Sequence, residues 1–196
     1  GVYELGSTFK IFTVAQALEL DLVDPKTKIN TKGPIRIGGH KINDYRNNGP
    51  ELPVWQVITE SSNLGTARIA KLIGPEKQRE FLSSLGFTKP TSIEMIEASG
   101  GKPLLPKRWN ELETMTISYG HGLSATPLHL ATGYAALANG GRLVKPTLLE
   151  GEKFDLGPQV ISKEVAENSL AMLRGVVTEG TASLADVNGY FVAGKT

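Results

Sequence analysis

The sequence predicts an α+β fold that is rich in helix and poor in sheet. Two observations carry this: repeated apolar runs at helical spacing, several opened by a capping residue and closed by glycine, and only short alternating segments between them. A third is Gly38-Gly39, with Ile35 and Ile37 before the pair and Ile42 after it, which marks a hairpin.

From Ser7 onward Phe9, Phe12, Val14, Ala15, Leu18 and Leu20 fall mostly at helical spacing, and Asp24-Pro25 supplies a stop. This predicts a buried helix with Ser7 at its N-terminus. The hairpin follows between Ile29 and Asp44. Leu52 to Glu60 forms a second helix with Pro53 in its first turn, and Leu64 to Leu72 a third that ends before Gly74-Pro75. Ser61-Ser62-Asn63 lies at their junction. A fourth helix covers Glu76 to Leu85 and closes at Gly86, after which Phe87 to Lys107 reads as loop. Thr126 caps a helix that starts on Pro127 and stops at Gly140-Gly141, and Ser162 caps another that ends near Gly180. Gly189 to Thr196 carries the strand formers Tyr190, Phe191 and Val192.

A chain of 196 residues supports one sizeable core. With 21 Lys and Arg against 20 Asp and Glu, the net charge of +1 provides no field to recruit nucleic acid or an anionic membrane surface. The absence of cysteine removes thiolate catalysis, thiolate-bound zinc and disulfides, and leaves the redox compartment open. His40, His121 and His129 show no metal-ligand spacing, so neither metal nor other cofactor is expected. Asp21 and Asp24 read as solvated charges, Trp55 and Trp109 as core or groove lining. No apolar run approaches the roughly 18 residues of a membrane span. The first residues lead straight into a motif and FVAGKT stops inside a strand-like stretch, so the expectation is a fragment.

Ser7 and Lys10 stand at i and i+3, neighbours on a helix. A serine hydroxyl is a weak nucleophile that needs an adjacent base. A lysine serves as one when burial or a neighbouring cation lowers its pKa, and Phe9, Ile11 and Phe12 suggest an apolar setting. A helix N-terminus adds N–H groups where an oxyanion forms. Alone, though, the pair reads more readily as an N-cap and a solvent-facing lysine. Ser99-Gly100-Gly101-Lys102 repeats the spacing in a glycine-rich loop with no helix to align it. Ser61-Ser62-Asn63 offers a second hydroxyl and an amide, or alone a capping turn. Lys195 and Thr196 could bind a carboxylate, or alone form a solvated strand end.

In this order, SxxK at Ser7 and Lys10, SxN at Ser61 and Asn63, and the start of KTG at Lys195-Thr196 resemble the active-site set of penicillin-binding proteins and serine β-lactamases. The stretches YELGSTFK, TESSNLGTARIA, SYGHGLSATPLHLATGYAALANGG and GYFVAGKT are similar to the transpeptidase domain of class B penicillin-binding proteins, especially the septal enzyme of cell division. The resemblance runs along nearly the whole chain. It implies a penicillin-binding/serine β-lactamase-like transpeptidase fold, with residues 1–196 as the central part of that domain, from the SxxK helix to a truncated KTG strand. Much of the central antiparallel sheet would be missing.

By the same resemblance Ser7 is the acylated nucleophile, Lys10 its base, Ser61 a proton relay and Asn63 a grip on the donor peptide. Lys195 supplies positive potential and Thr196 holds the substrate carboxylate. The implied partners are stem peptides ending in D-Ala-D-Ala, β-lactams and divisome membrane proteins. The implied setting is the bacterial inner membrane, with the catalytic domain in the periplasm and membrane contact only through an N-terminal anchor absent from this chain. The KTG glycine lies beyond Thr196, as does the strand residue that donates one oxyanion N–H, so a fragment alone should be a poor catalyst. Alternatives are a D,D-carboxypeptidase, a serine β-lactamase, for which no deacylating carboxylate is identifiable by spacing, and a β-lactam sensor or degenerate scaffold without turnover.

Overall fold

A computed structural model describes residues 1–150 and 156–196. In chain order the elements are β1 (Tyr3–Glu4), a 3-10 turn (Gly6–Phe9), α1 (Lys10–Glu19), β2 (Lys28–Asn30), β3 (Ile35–Ile37), β4 (His40–Ile42), β5 (Glu51–Pro53), α2 (Val54–Thr59), α3 (Asn63–Ile73) and α4 (Pro75–Ser84). There follow a second 3-10 turn (Ile96–Gly101), α5 (Glu111–Ser118), β6 (Ser124–Ala125), α6 (Pro127–Ala138), β7 (Arg142–Val144), β8 (Leu156–Gln159), α7 (Lys163–Thr178) and a last 3-10 turn (Ser183–Ala185). The described strands form four antiparallel pairs, β1 with β6, β2 with β5, β3 with β4 and β7 with β8. The expected helix-rich chain with a depleted sheet is what the structure holds.

α1 occupies the centre because apolar residues cover most of its surface, interrupted by Lys10, Thr13 and Gln16, and α2, α3, α4, α5 and α7 pack on it. Every residue from Lys10 to Leu18 is buried. The polar ones are satisfied: Thr13 Oγ1 donates to the Ser118 carbonyl at 3.1 Å, and Gln16 Nε2 to that of Lys77 at 2.6 Å. At its start Phe9, Phe12 and Phe87 meet edge to face with centroids 5.0 to 5.3 Å apart, and Tyr134 of α6 joins Phe12 at 5.6 Å. Each buried ring contributes about 1.5–3 kcal/mol through the apolar surface it withdraws from water.

The hairpin forms where expected. Ile37 pairs with His40, so Gly38 and Gly39 are the two turn residues, at φ 53° and 80°. A two-residue turn that matches strand twist needs positive φ at both positions, which glycine adopts without a steric cost. α2 begins one residue past Pro53, because Pro53 stays extended and pairs with Lys28. α3, α4, α6 and α7 follow the predicted spans closely, with Ser62, Thr126 and Ser162 each accepting an N–H of its own helix.

Three expectations change. The first helical turn is 3-10 rather than α, and Ser7 lies inside it without capping it. The sequence reading passed over α5, whose start carries the capping box of Asn110 and Glu113. The segment from Gly189 to Thr196 opens in a turn, with the Tyr190 N–H on the Val187 carbonyl at 3.1 Å, and pairs with none of the described strands. It lies on α7 instead: Gly194 N–H donates to the Leu173 carbonyl at 3.2 Å, and the Arg174 guanidinium to that of Val192 at 2.8 Å. β-propensity alone does not make a strand, because the ladder needs a neighbour with unpaired backbone groups.

Candidate active site

The 3-10 turn sets the first relationship. With three residues per turn, positions i and i+3 eclipse, so Ser7 and Lys10 stack more directly than on an α-helix. The Lys10 N–H donates to the Ser7 carbonyl and closes that turn. The chain enters it at Gly6, φ 56°, whose N–H donates to the Gly120 carbonyl at 3.1 Å. Gly120 has φ 85°, and a β-carbon there would lie 2.1 Å from the Gly6 oxygen. Only glycine allows the SYGHG loop to run so close behind Ser7. Glu4 Oε1 accepts from Gly122 N–H at 2.7 Å, and the Tyr134 hydroxyl donates to the Thr8 carbonyl at 2.8 Å, so the turn is tied on two sides. Among the described residues the Ser7 N–H meets no backbone acceptor.

The second relationship comes from the end of α2. Ser62 N–H donates to the Val57 carbonyl at 2.9 Å and Ser61 N–H to Ile58 at 3.1 Å, the paired bonds of a Schellman turn. Such a turn places one residue in the left-handed region, usually glycine, and here it is Ser61 at φ 57°. A side chain there costs about 1–2 kcal/mol. In return both oxygens of Ser61 face one cation: Lys10 Nζ donates to its carbonyl at 2.6 Å and to its Oγ at 3.0 Å.

Lys10 is 1% exposed. Burial, then the positive charge of Lys195, lower its pKa from 10.5 to about 7, against an opposing pull from Asp44. Lysine is thereby brought into the range where neutral amine and ammonium interconvert near neutrality. Burial likewise lowers Lys195 to about 8.

Ser7, Lys10, Ser61, Asn63 and Thr196 line one open cleft of about 220 Å³, together with Tyr45, Arg46, Glu60 and Thr181. Asn63 Nδ2 donates to the Asn43 carbonyl at 3.0 Å. Thr196 and Thr181 hydroxyls pair at 2.7 Å. Lys195 lines an adjacent recess with Thr8 and Tyr134, its Nζ on the Thr196 carbonyl at 2.8 Å. A larger cavity of about 310 Å³, between Leu85, His129 and Leu143, also carries Ser92, Thr132 and Lys145, and the Thr132 hydroxyl is taken up by the His129 carbonyl at 2.9 Å.

The remaining motifs separate cleanly. Ser99 sits in the exposed 3-10 turn with its hydroxyl on the Ile96 carbonyl at 3.1 Å, away from the cleft. His129 is buried and bridges Thr126 and the Lys89 carbonyl, which fixes α6 to the preceding loop. Trp109 packs on the core and donates to Gln78 Oε1 at 2.9 Å. Among the described residues no group of three metal-ligating side chains gathers, and no helix is long and apolar enough to cross a membrane.

Comparison with known proteins decides the family. The model of the penicillin-binding protein transpeptidase domain matches residues 1–196. The chain belongs to the penicillin-binding protein transpeptidase family. It is similar to the probable peptidoglycan D,D-transpeptidase FtsI of Caulobacter vibrioides, 34% identical with 100% of this chain and 34% of the relative covered. It is also similar to the peptidoglycan D,D-transpeptidase FtsI of Escherichia coli, 30% identical with 100% and 33% covered. The TP domain of penicillin-binding protein 3 from Burkholderia pseudomallei superposes with a TM-score of 0.91 at 36% identity, covering 99% of this chain and 60% of that one. The chain spans about a third of the length of the curated relatives it matches. These likenesses are to class B transpeptidase domains.

Sequence reasoning missed several residues around the cleft. Asp44 carries no motif and becomes visible only by contact. Gly120 had a signal, since SYGHG places two glycines in a stretch bounded by helices. Tyr45, Arg46, Glu60 and Thr181 had none.

Proposed function

We propose that the chain carries the acylating centre of a peptidoglycan D,D-transpeptidase that works in septal cell-wall synthesis and is acylated by β-lactams. The observation that carries the reading is the buried Lys10, lowered to about 7 and bonded to Ser61 in the cleft that Ser7 lines. Neutral Lys10 takes the Ser7 hydroxyl proton as Ser7 Oγ attacks the penultimate D-Ala carbonyl, and the Ser7 N–H supports the developing oxyanion. The C–N bond then breaks, and the leaving D-Ala amine takes the proton back from Lys10 through Ser61 Oγ. In the second half an acceptor amine attacks the ester carbonyl and gives its proton to Lys10 by the same route. The ester C–O bond breaks and Ser7 regains its hydrogen. Asn63 holds the donor backbone, while Lys195 and Thr196 attract the terminal carboxylate. A β-lactam enters the first half through its ring amide.

The relatives' names support the peptidoglycan substrate. Divisome membrane partners and an inner-membrane protein with this domain in the periplasm complete the proposal. A labelled penicillin, added to the full-length protein and mapped by mass spectrometry, should attach at Ser7, and Ser7→Ala should abolish the label. Attachment at Ser99 or elsewhere overturns the assignment. Crosslinked product from stem peptides separates turnover from a sensor that only acylates, and recruitment of a fluorescent fusion to the septum tests the cellular role.

A further inference from the structure

One side chain grips the turn that presents Ser61, and it lies 18 to 20 residues before that turn in sequence. Asp44 Oδ2 accepts from the Ser62 hydroxyl at 2.7 Å, and Oδ1 from the Leu64 N–H at 2.8 Å. The Ser62 Oγ in turn accepts from Gly65 N–H at 2.9 Å, and the neighbouring Asn43 carbonyl accepts from Asn63 Nδ2 at 3.0 Å. The first turn of α3 and the last cap of α2 are thus held by one carboxylate and the residue beside it. Ser62 is fully buried, so its hydroxyl has no water to replace Asp44. Between these clamped residues and α2 stands Ser61, in a backbone region that a side chain disfavours and that surrounding structure has to hold in place.

We propose that Asp44 is a positioning residue for acyl transfer: by holding Ser62 and Leu64 it fixes the Ser61 turn, and with it the Ser61 hydroxyl on Lys10. This rests on the acyl-transfer reading above. The charge of Asp44 also matters to Lys10. The groups facing Lys10 are Ser61, Lys195 and Asp44, with Glu60, Arg46 and Tyr45 lining the same cleft, and Arg68 also feels the Asp44 charge. Asp44 favours the ammonium form of Lys10, opposing burial and Lys195. Asp44→Asn keeps the shape and one acceptor oxygen but removes the charge.

The test measures penicillin acylation of Ser7 in the full-length protein against pH, for the unaltered chain, Asp44→Asn and Asp44→Ala, with melting temperature followed in parallel. The expected result for Asp44→Asn is a folded protein with acylation slowed about tenfold and the rising pH limb displaced to lower pH, because Lys10 loses its anionic neighbour. Asp44→Ala should slow acylation further, by about a hundredfold, through loss of both grips. If Asp44→Ala fails to fold, Asp44→Asn decides alone. Acylation with an unchanged rate and limb in Asp44→Asn overturns the inference and leaves the acyl-transfer reading intact. Failure of the unaltered protein to label at Ser7 overturns the reading, and the inference falls with it.

Discussion

Lys10 Nζ lies 2.6 Å from the carbonyl oxygen and 3.0 Å from the hydroxyl of Ser61, a contact made across 51 residues by a turn in the left-handed region. The geometry that glycine would adopt freely is imposed on a serine, and among the described residues it is Ser61 whose hydroxyl hydrogen-bonds the buried amine.

This opposition between comfort and chemistry is measurable. Ser61→Gly should keep or raise the stability of the domain, by about 1 kcal/mol, because the left-handed conformation no longer carries a β-carbon. Ser61→Ala retains that cost without the hydroxyl, so it should melt below Ser61→Gly. Both should slow penicillin acylation by about a hundredfold, the scale of a lost proton-transfer group. Equal melting temperatures for the two variants would contradict the strain at Ser61.

The closeness of Gly120 to Gly6 makes a second prediction. Gly120→Ala drives a β-carbon into the Gly6 carbonyl, 2.1 Å away, so the 3-10 turn has to move. Loss of stability by about 2–4 kcal/mol is expected, combining steric conflict with the disfavoured φ. Gly39→Ala is the control: its φ is 80° but nothing lies within 4 Å, so about 1 kcal/mol is expected. Thermal melts and Ser7 labelling of both variants separate backbone strain from collision.

Acylation should follow a bell in pH. Lys10 must be neutral to take the Ser7 proton, which sets a rising limb near 7, and a cationic Lys195 attracts the carboxylate, which sets a falling limb near 8. Rate constants for a penicillin that bears a carboxylate, taken on both sides of these values, check it. Lys195→Gln should remove the falling limb. A rate that climbs monotonically in the unaltered protein would exclude this role for Lys195.

Stability should respond to the same lysines with a definite sign. Lys10 titrates near 7 when folded and 10.5 when free, so between those values the unfolded chain binds more protons and stability rises with pH. Lys195 adds a smaller term of the same sign above 8. The full cost of burying the ammonium is present below 7. Lys10→Met should therefore be more stable than the unaltered protein at acidic pH and show a flatter dependence, while losing acylation. Denaturant midpoints against pH provide the measurement, and a steeper dependence in Lys10→Met would be decisive against it.

Phe87 shows where sequence reasoning stopped. It stands at the start of a glycine- and proline-bearing stretch and reads as loop, yet it is fully buried against Phe9 and Phe12 beneath the Ser7 turn. Phe87→Ala should cost about 3–5 kcal/mol through the cavity it leaves, measurable by denaturant unfolding. α5 was missed for a related reason: its apolar pattern is too brief to show a helical period, and the signal lay in the capping box of Asn110 and Glu113. The terminal strand failed for the opposite reason, since strand formers are present but no described strand lies beside them.

The sequence by itself determined the spans of α3, α4, α6 and α7 with Thr126 and Ser162 as caps, the Gly38-Gly39 hairpin, and an ordered set of Ser7, Lys10, Ser61, Asn63, Lys195 and Thr196 that names a family. All of these are patterns within short windows, where spacing, propensity and side-chain chemistry act on near neighbours. Only the tertiary structure decided that Lys10 is buried with Lys195 and Asp44 near it, that Ser61 is held in the left-handed region, and that Gly120 crosses behind Ser7. A pKa, a strained turn and a close backbone crossing depend on what distant segments place around a residue. No window of sequence contains that.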